Sequence, residues 1–438
     1  KNENNNETKE FLNAIAGALL AVLFIFTIVV LIFTPVFILI FAPGFYIDPE
    51  KKDLSIQVLR IMFPYLALIS LVAFASGIQN THQKFSIPAF TPVLFNVILI
   101  IAASFIAPNY DMPILVLAWG VLLAGFVQLI IQVSPLINID KLPVPKLDFN
   151  NEGVRKFMTI IFPAIIAGGI LQINLLIDTI FASLLETGSP TWLYISDRLI
   201  QFPMGIFAIA IGTVLLPTLS KYDLKTEKNN FISTIKKGQK FVLFIGIPSL
   251  IGLFYCAEDL ISTIFYRGAF TEIDVINSSY SLMAFSFGLP FFMLMKVLTP
   301  AFFSRKDTIT PMRVALISLF LNVILNYYLA FVLDLGHVGI AIGSSLAALV
   351  SVCILEFILY RSGFIKSYFF VSRFSLMVLV ASCSLALFLH FYTQKVNFIE
   401  LNHLDRILFL FIEVITATLI YFTISRVIYG KSLRKIFE

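Results

Sequence analysis

Twelve long apolar stretches run almost without interruption from Phe11 to about Val427, and they limit the possible folds more than any other feature. A bilayer core of ~30 Å needs ~20 apolar residues per helix, and each stretch approaches or exceeds that length. Only 13% of the residues are charged, against ~25% in soluble domains. We therefore predict an all-α polytopic membrane protein. Its twelve transmembrane helices are expected at 11–41, 55–79, 86–107, 114–134, 153–185, 192–219, 241–257, 276–303, 311–332, 338–360, 370–392 and 405–427.

The basic residues predict the orientation of these helices. If the amino terminus is cytoplasmic, the segments on the cytoplasmic side carry 23 Lys and Arg residues and the outer segments carry 5. Short cytoplasmic loops are enriched in Lys and Arg, so this asymmetry predicts that both termini lie in the cytoplasm. The net charge of +5 follows from this placement and gives no reason to expect a nucleic-acid partner.

The sequence contains no recognisable enzyme motif. Cys256, Cys353 and Cys383 lie alone in apolar segments, and the four histidines are scattered. A phosphate-binding loop, a dinucleotide fingerprint, a nucleophile elbow and a zinc-protease motif are all absent from the sequence. We therefore expect neither enzyme activity nor a metal site nor an organic cofactor.

The chain repeats itself at an offset of 226 residues. The runs ID at 47–48, FPY at 63–65 and FNVIL at 95–99 recur as ID at 273–274, LPF at 289–291 and LNVIL at 321–325. Because the offset spans six helices, the two copies have the same orientation, as in transporters built from two parallel lobes around a central site. The predicted organisation is an N-lobe at 1–134, a cytoplasmic linker at 135–152, a C-lobe at 153–360 and a C-terminal helix pair with a basic tail at 361–438.

The two lobes are unequal in length. A helix pair at 153–219 precedes the four repeated helices of the C-lobe, whereas only the polar stretch Lys1–Glu10 precedes those of the N-lobe. The repeat therefore predicts that two helices before Lys1 have been lost by truncation, by processing or through an incomplete gene record.

Four runs of residues carry a family resemblance. They are KFSIPA at 84–89, QINLLIDTIFAS at 172–183, WLYISDRL at 192–199 and GTVLLP at 212–217. These runs resemble the MurJ (MviN) lipid II flippase family of the multidrug/oligosaccharidyl-lipid/polysaccharide exporter superfamily. The resemblance implies fourteen helices, in two six-helix lobes and a C-terminal pair, in the bacterial inner membrane.

The resemblance also implies an activity. The family moves lipid II, the undecaprenyl-diphosphate-linked precursor of peptidoglycan, between leaflets by alternating access, as a monomer. A diphosphate sugar head group is too costly to place in hydrocarbon and needs a hydrated, cationic cavity, while its tail can stay in lipid or in an apolar groove. The last two helices of the family look suited to lining such a groove.

Arg198, Asp197, Gln201 and Lys296 are the expected substrate-binding residues. An arginine within a spanning helix costs ~2.5–3.5 kcal/mol unless it faces water or a partner, and its forked guanidinium matches a diphosphate. Gln201 replaces a glutamate that the family often has three residues after this arginine. As alternatives, Arg198 is a structural ion-pair partner or lies at the outer interface, and Lys296 is an interfacial anchor.

A second set of polar residues predicts an ion site. Asp178 lies deep in a predicted helix, Asn322 and Asn326 are one helical turn apart, and Ser344 lies on the next helix. Their oxygens could bind a monovalent cation such as sodium. The alternative is that they form a hydrogen-bonded clamp between helices.

Three questions stay open at the level of sequence. The driving force is the membrane potential, sodium or protons. The nearest rival transport function is export of other polyprenyl-linked oligosaccharides or small drugs. A rival of another class is a membrane scaffold that keeps the fold without transporting.

Overall fold

The computed structural model describes residues 2–148, 152–365 and 373–430. These described ranges contain helices and no β-strand. In chain order the α-helices are α1 Asn2–Ile32, α2 Thr34–Phe41, α3 Pro43–Ile47, α4 Pro49–Met62, α5 Pro64–Thr81, α6 Ser86–Ile101, α7 Pro113–Asn138, α8 Glu152–Ser183, α9 Ser189–Pro203, α10 Ala210–Ser220, α11 Lys228–Tyr255, α12 Ala257–Phe265, α13 Glu272–Phe303, α14 Ile309–Tyr327, α15 Gly336–Arg361, α16 Arg373–Thr393 and α17 His403–Tyr429. The predicted basic tail at 431–438 and residues 149–151 of the predicted linker lie outside the described residues.

The all-α membrane fold is confirmed. Among the described residues, 11 helical stretches are long and apolar enough to cross a bilayer, and each coincides with one of the predicted spans. The remaining predicted span, at 153–185, forms the 32-residue helix α8, in which many side chains lie outside the described residues.

Prolines divide the first two predicted spans. The prediction of one uninterrupted helix at 11–41 is wrong, because α2 begins with Pro35 in its first turn and α3 begins at Pro43. Proline has no backbone N–H and is favoured in the first turn of a helix, so it suits the starts of α2 and α3, although prolines also lie inside longer helices such as α13. Pro64 likewise separates α4 from α5.

The repeat is visible as structure. A π-helical turn follows α6, at Ala102–Ile106, and another follows α14, at Tyr328–Val332. These two turns are 226 residues apart, which is the offset of the repeat. Asp48 and Asp274 are separated by the same offset, and each lies at the start of a helix. Asp48 caps α4 by accepting backbone N–H groups, and Asp274 completes a capping box at the start of α13. Equivalent irregularities at equivalent positions support two copies of one design.

The described residues fall into two compact units, residues 1–176 and 177–438. In the first, α7 packs against α4, α5 and α6. Close packing there relies on Gly125, where a side chain would collide with Tyr65 and Leu68. The described part of the linker lies along α1, where the side chain of Asn13 accepts the backbone N–H of Val144 at 2.7 Å.

The second unit is organised around α13. This helix packs against α9, α11 and α15, and α16 and α17 pack on α11 and on each other. Since other helices pack against α13 on several sides, it is apolar on several faces. It therefore contributes many of the buried core residues of this unit. Fully buried core residues on it include Leu282, Leu289, Met293, Val297 and Phe302.

Candidate functional site

Asp178 is the centre of a polar cluster in the second unit. Asn326 on α14 donates a hydrogen bond to Asp178 Oδ1 at 2.6 Å, and Ser344 on α15 donates to Asp178 Oδ2 at 3.2 Å. Asn322 donates to Ser344 Oγ at 3.0 Å and accepts from Asn326 at 3.2 Å. All four residues of the predicted ion site therefore meet at one place, and the spacing of the two asparagines predicted their shared face.

The cluster depends on a close helix approach. A side chain at Gly343 would collide with the Oδ1 atom of Asn326. Asn326 is fully buried, and the same Oδ1 atom has no hydrogen-bond partner in the described part of the chain. The Asn326 Oδ1 atom is therefore an acceptor that no described protein group uses.

The chemistry of the cluster suits either a clamp or a cation. In the arrangement described, amide N–H groups and a hydroxyl point at the carboxylate, as in a hydrogen-bonded clamp between helices. The assignment of oxygen and nitrogen in an amide follows from its surroundings. Rotation of the Asn326 amide would direct its unpaired oxygen to the carboxylate side, where a sodium-sized ion would find carboxylate, amide and hydroxyl oxygens.

Three of the predicted substrate-binding residues form a second cluster on one face of α9. The side-chain amide of Gln201 contacts Asp197, and Arg198 donates to Gln201 Oε1 at 3.4 Å. The Arg198 guanidinium lies 4.8 Å from the centre of the Tyr194 ring. Arg198 and Gln201 are exposed, whereas Asp197 is partly buried. The exposed guanidinium is thus held by an aromatic face and an amide, and it forms no ion pair among the described side chains.

No role for Tyr194 was predicted from the sequence. The signal was available, because Tyr194 precedes Arg198 by four residues and residues with this spacing share one face of a helix. An arginine over an aromatic ring keeps its forked edge free for an anion. Tyr194 therefore supports the guanidinium without competing for it.

Lys296 does not join this cluster. Ser196 on α9 donates to the carbonyl of Ser278 on α13 at 2.7 Å, whereas Gly212 on α10 lies against Lys296. The α9–α10 stretch and α13 thus run side by side, and about sixteen residues of α13 separate the level of Arg198 from Lys296, or ~24 Å at 1.5 Å per residue. A single diphosphate cannot contact both cations.

The Asp197 and Asp178 side chains lie within range of an electrostatic interaction. Asp197 lies near enough to Asp178 for their carboxylates to repel across the space between α9 and α8. Since Asp197 also belongs to the Arg198 cluster, a charge bound at one cluster changes the electrostatic field at the other. The sequence did not predict this proximity because nineteen residues and a turn separate the two aspartates.

A polar network occupies the first unit. Gln132 donates to Ser76 Oγ at 3.0 Å and to Thr91 Oγ1 at 2.9 Å, and Gln128 donates to the carbonyl of Thr91 at 3.0 Å. A cavity of about 340 Å³ adjoins it and is lined in part by Asn96, the repeat counterpart of Asn322. The network consists of neutral groups, which distinguishes it from the Asp178 cluster.

The comparisons with known proteins decide the family. The model of the family described as "Lipid II flippase MurJ" matches residues 1–405. The chain belongs to the MurJ family. The resemblance noted in the sequence is thereby confirmed.

MurJ proteins from several bacteria are similar to this chain. The probable lipid II flippase MurJ of Vibrio cholerae is 38% identical over 382 residues, which cover 85% of this chain and 72% of that protein. The corresponding protein of Haemophilus influenzae is 34% identical, covering 95% of this chain and 84% of its own length. For the lipid II flippase MurJ of Burkholderia cenocepacia the identity is 32%, over 87% of this chain and 75% of that protein.

Solved structures agree with the family assignment. A MurJ structure in an inward closed conformation superposes with a TM-score of 0.80 at 25% identity, covering 98% of this chain and 85% of the other. An inward-facing MATE family multidrug resistance transporter superposes with a TM-score of 0.62 at 13% identity, covering 80% of this chain and 81% of its own. The second likeness shows a shared fold only.

Proposed function

We propose that this protein is a flippase that moves lipid II across the bacterial cytoplasmic membrane by alternating access. The observation that carries the proposal is the MurJ family match over residues 1–405, supported by the superposition on a MurJ flippase structure. Membership of a flippase family makes the protein a transporter and not an enzyme.

In this proposal Arg198 contacts the diphosphate. Its guanidinium is exposed and is supported from behind by Tyr194. It can offer two parallel N–H groups to a phosphate, and such charge-assisted bonds are roughly twice as strong as neutral ones. Gln201 holds the guanidinium in place and is itself in contact with Asp197. Because Gln201 is neutral, the cluster carries less negative charge than it would with a glutamate at this position.

Lys296 serves a different stage of transport. It is exposed and lies ~24 Å along α13 from the level of Arg198 by the helical rise. Because alternating access moves a head group through the depth of the membrane, cations at two levels can bind the diphosphate in turn. Lys296 is the contact toward the cytoplasmic side, where the basic loops place the end of α13.

The Asp178 cluster supplies the ionic coupling. A sodium ion bound among Asp178, Asn322, Asn326 and Ser344 would neutralise Asp178 and remove its repulsion of Asp197. Removal of this repulsion would stabilise Asp197 in its position beside Arg198. Binding of the ion would thereby be coupled to the substrate cluster. The membrane potential would contribute as the ion or the diphosphate crosses the bilayer.

The surroundings of the protein follow from the same proposal. The protein is a multi-pass protein of the inner membrane with both described ends on the cytoplasmic side, in accordance with the positive-inside rule. It works as a monomer, because one chain carries both copies of the internal repeat from which such transporters are built. Its binding partners are lipid II and the surrounding membrane lipids.

Reconstituted vesicles test the proposal. Purified protein is placed in vesicles with fluorescent lipid II, and a quencher added outside reports which leaflet holds the label. We expect the fraction of fluorescent lipid II that is protected from the quencher to fall only in vesicles that contain the protein. An equal rate for polyprenyl-linked glycans unrelated to peptidoglycan would favour a general exporter, and no flipping by folded protein would favour a scaffold.

Arg198→Ala in the same assay should slow transport at least tenfold while the protein remains folded. Hydrogen bonds to charged groups contribute ~1.5–3 kcal/mol each, so loss of one such contact slows binding-limited transport by roughly tenfold or more. Arg198→Lys should restore transport only in part, because a point charge lacks the forked geometry. Lys225→Ala is the matched control, because it removes one exposed cation from the same unit at a position outside both clusters, and it should leave the transport rate unchanged.

A further inference from the structure

An apolar groove of about 610 Å³ opens on the surface of the second unit. It lies among α11, α13 and α15, and its wall includes Leu250, Met283, Phe287 and Leu346. Phe287 is 53% exposed and Leu346 is 38% exposed. This volume falls in the ~300–1,000 Å³ range of ligand-binding pockets, so the groove is large enough to hold a ligand molecule.

The wall of the groove offers nothing to an ion or to water. Its lining contains no charged side chain and no side-chain amide. The hydroxyl of Ser345 is already used, since it donates to the backbone carbonyl of Ala284 at 3.0 Å. Apolar surface of this kind is stable only against other apolar groups. The occupant is therefore a hydrocarbon.

The groove has the length of one leaflet. Along α13 it extends from Tyr280 to Phe291, and along α15 from Val338 to Leu349. Each stretch contains twelve residues, and its two ends are ~16 Å apart at a rise of 1.5 Å per residue, which is about half of a bilayer core of ~30 Å. Val338 is the third residue of the membrane-spanning helix α15, and Tyr280 is the ninth of the 32 residues of α13. The groove therefore begins on the side of the membrane where α13 and α15 begin.

An interfacial residue marks the outer end of the groove. Tyr280 is 52% exposed and lies at the end nearest the starts of both helices. Tyrosine is enriched where the hydrocarbon meets the head groups, because its ring is apolar and its hydroxyl is polar. A chain in the groove thus has its polar end at the level of Tyr280 and its methyl end near the middle of the membrane.

We propose that this groove is a binding site for one acyl chain of a membrane phospholipid. A groove confined to one leaflet fits a phospholipid chain, whereas an undecaprenyl chain is several times longer than ~16 Å, the length that the helical rise gives the groove. The site lies on α11, α13 and α15, its lining includes none of the residues of the Arg198 and Asp178 clusters, and it does not depend on transport. A bound chain fills the space between three helices of this unit and stabilises their packing.

Photolabelling tests the site. The protein is reconstituted in vesicles of phosphatidylethanolamine and phosphatidylglycerol, with a small fraction of phosphatidylethanolamine that carries a diazirine on one chain. After irradiation, labelled positions are mapped by mass spectrometry. We expect Met283, Phe287 and Leu346 to be labelled several-fold more than equally exposed apolar positions on α14 and α17.

Two variants make the test specific. Leu346→Trp fills the groove from its rim and should reduce labelling of Met283 and Phe287 several-fold. Leu419→Trp makes the same change at an exposed position of α17 and should leave that labelling unchanged, and thermal unfolding checks that both variants fold. Even labelling over all exposed apolar positions would overturn the proposal, as would groove labelling by a diazirine polyprenyl phosphate alone.

Discussion

The side chains of Asp178 and Asn326 lie 2.6 Å apart although 148 residues separate them in the chain. The contact joins α8 to α14, and Ser344 adds α15 through the other carboxylate oxygen. One half-buried acidic group thereby ties three helices of one unit together. Substitutions at this position distinguish a clamp from a cation site.

Sodium should stabilise the purified protein against heat if the cluster binds it. The gain should grow with concentration as RT ln(1 + [Na⁺]/Kd), about 2.7 kcal/mol at one hundred times Kd. Asp178→Asn should remove most of this gain. Potassium at equal ionic strength controls for screening. Equal stabilisation by both salts, or a sodium effect that survives Asp178→Asn, would establish the hydrogen-bonded clamp instead.

Gly343→Ala should destabilise the second unit. A Cβ atom there would collide with the Oδ1 atom of the buried Asn326, and overpacking of this kind costs ~1–3 kcal/mol. Gly252→Ala is the matched control, because α11 leaves open space at that position and alanine favours a helix by up to ~1 kcal/mol. Thermal unfolding should show a lower midpoint for Gly343→Ala only. Equal midpoints would mean that α14 and α15 can separate at no cost.

A buried carboxyl pair should make stability depend on pH. Asp259 on α12 is within hydrogen-bonding reach of Glu413 on α17, and Cys256 donates to Glu413 Oε1 at 3.1 Å. Burial and the neighbouring Glu413 raise the pKa of the Asp259 carboxyl. The folded protein therefore holds a proton that the unfolded chain releases, and stability falls as pH rises above the usual carboxyl range.

Asp259→Asn should remove this loss. The variant should unfold at a higher temperature than the wild type at pH 8, with a smaller difference at pH 5. Asp307→Asn is a control of opposite sign, because the backbone N–H of Thr310 donates to Asp307 and lowers its pKa. That variant should lose stability at neutral pH and little at acid pH. A wild-type midpoint that does not change between pH 5 and pH 8 would contradict the shared proton.

Cysteine labelling should establish the orientation. Ser189, which the sequence places in an outer loop, is fully buried, so the neighbouring exposed Glu186 is the better probe position. In a background without native cysteines, an impermeant maleimide added to intact cells should label Glu186→Cys and spare Lys225→Cys. The positive-inside asymmetry predicts this result. Labelling of Lys225→Cys alone would invert the topology.

The sequence by itself determined the spans, the repeat and the family. Each span is recognisable because a membrane helix must satisfy its own backbone and cover its length with apolar side chains, both of which are local requirements. The asparagines at 322 and 326 share a face for an equally local reason, the helical period. The prolines at the starts of α2 and α3 also act locally, but prolines inside α6 and α13 leave those helices continuous, so proline alone does not mark where the first span divides.

Only the tertiary structure decided what the polar residues do. Hydropathy does not record which helix lies beside which, so the contact of Asp178 with Asn326 and its repulsion of Asp197 came from packing. Packing also placed Lys296 and Arg198 at different levels along α13. It brought Asp259 and Glu413 together from two segments that are far apart in the sequence. In lipid, the position of a polar group along the sequence shows that it needs a partner, and the arrangement of the helices decides which partner it finds.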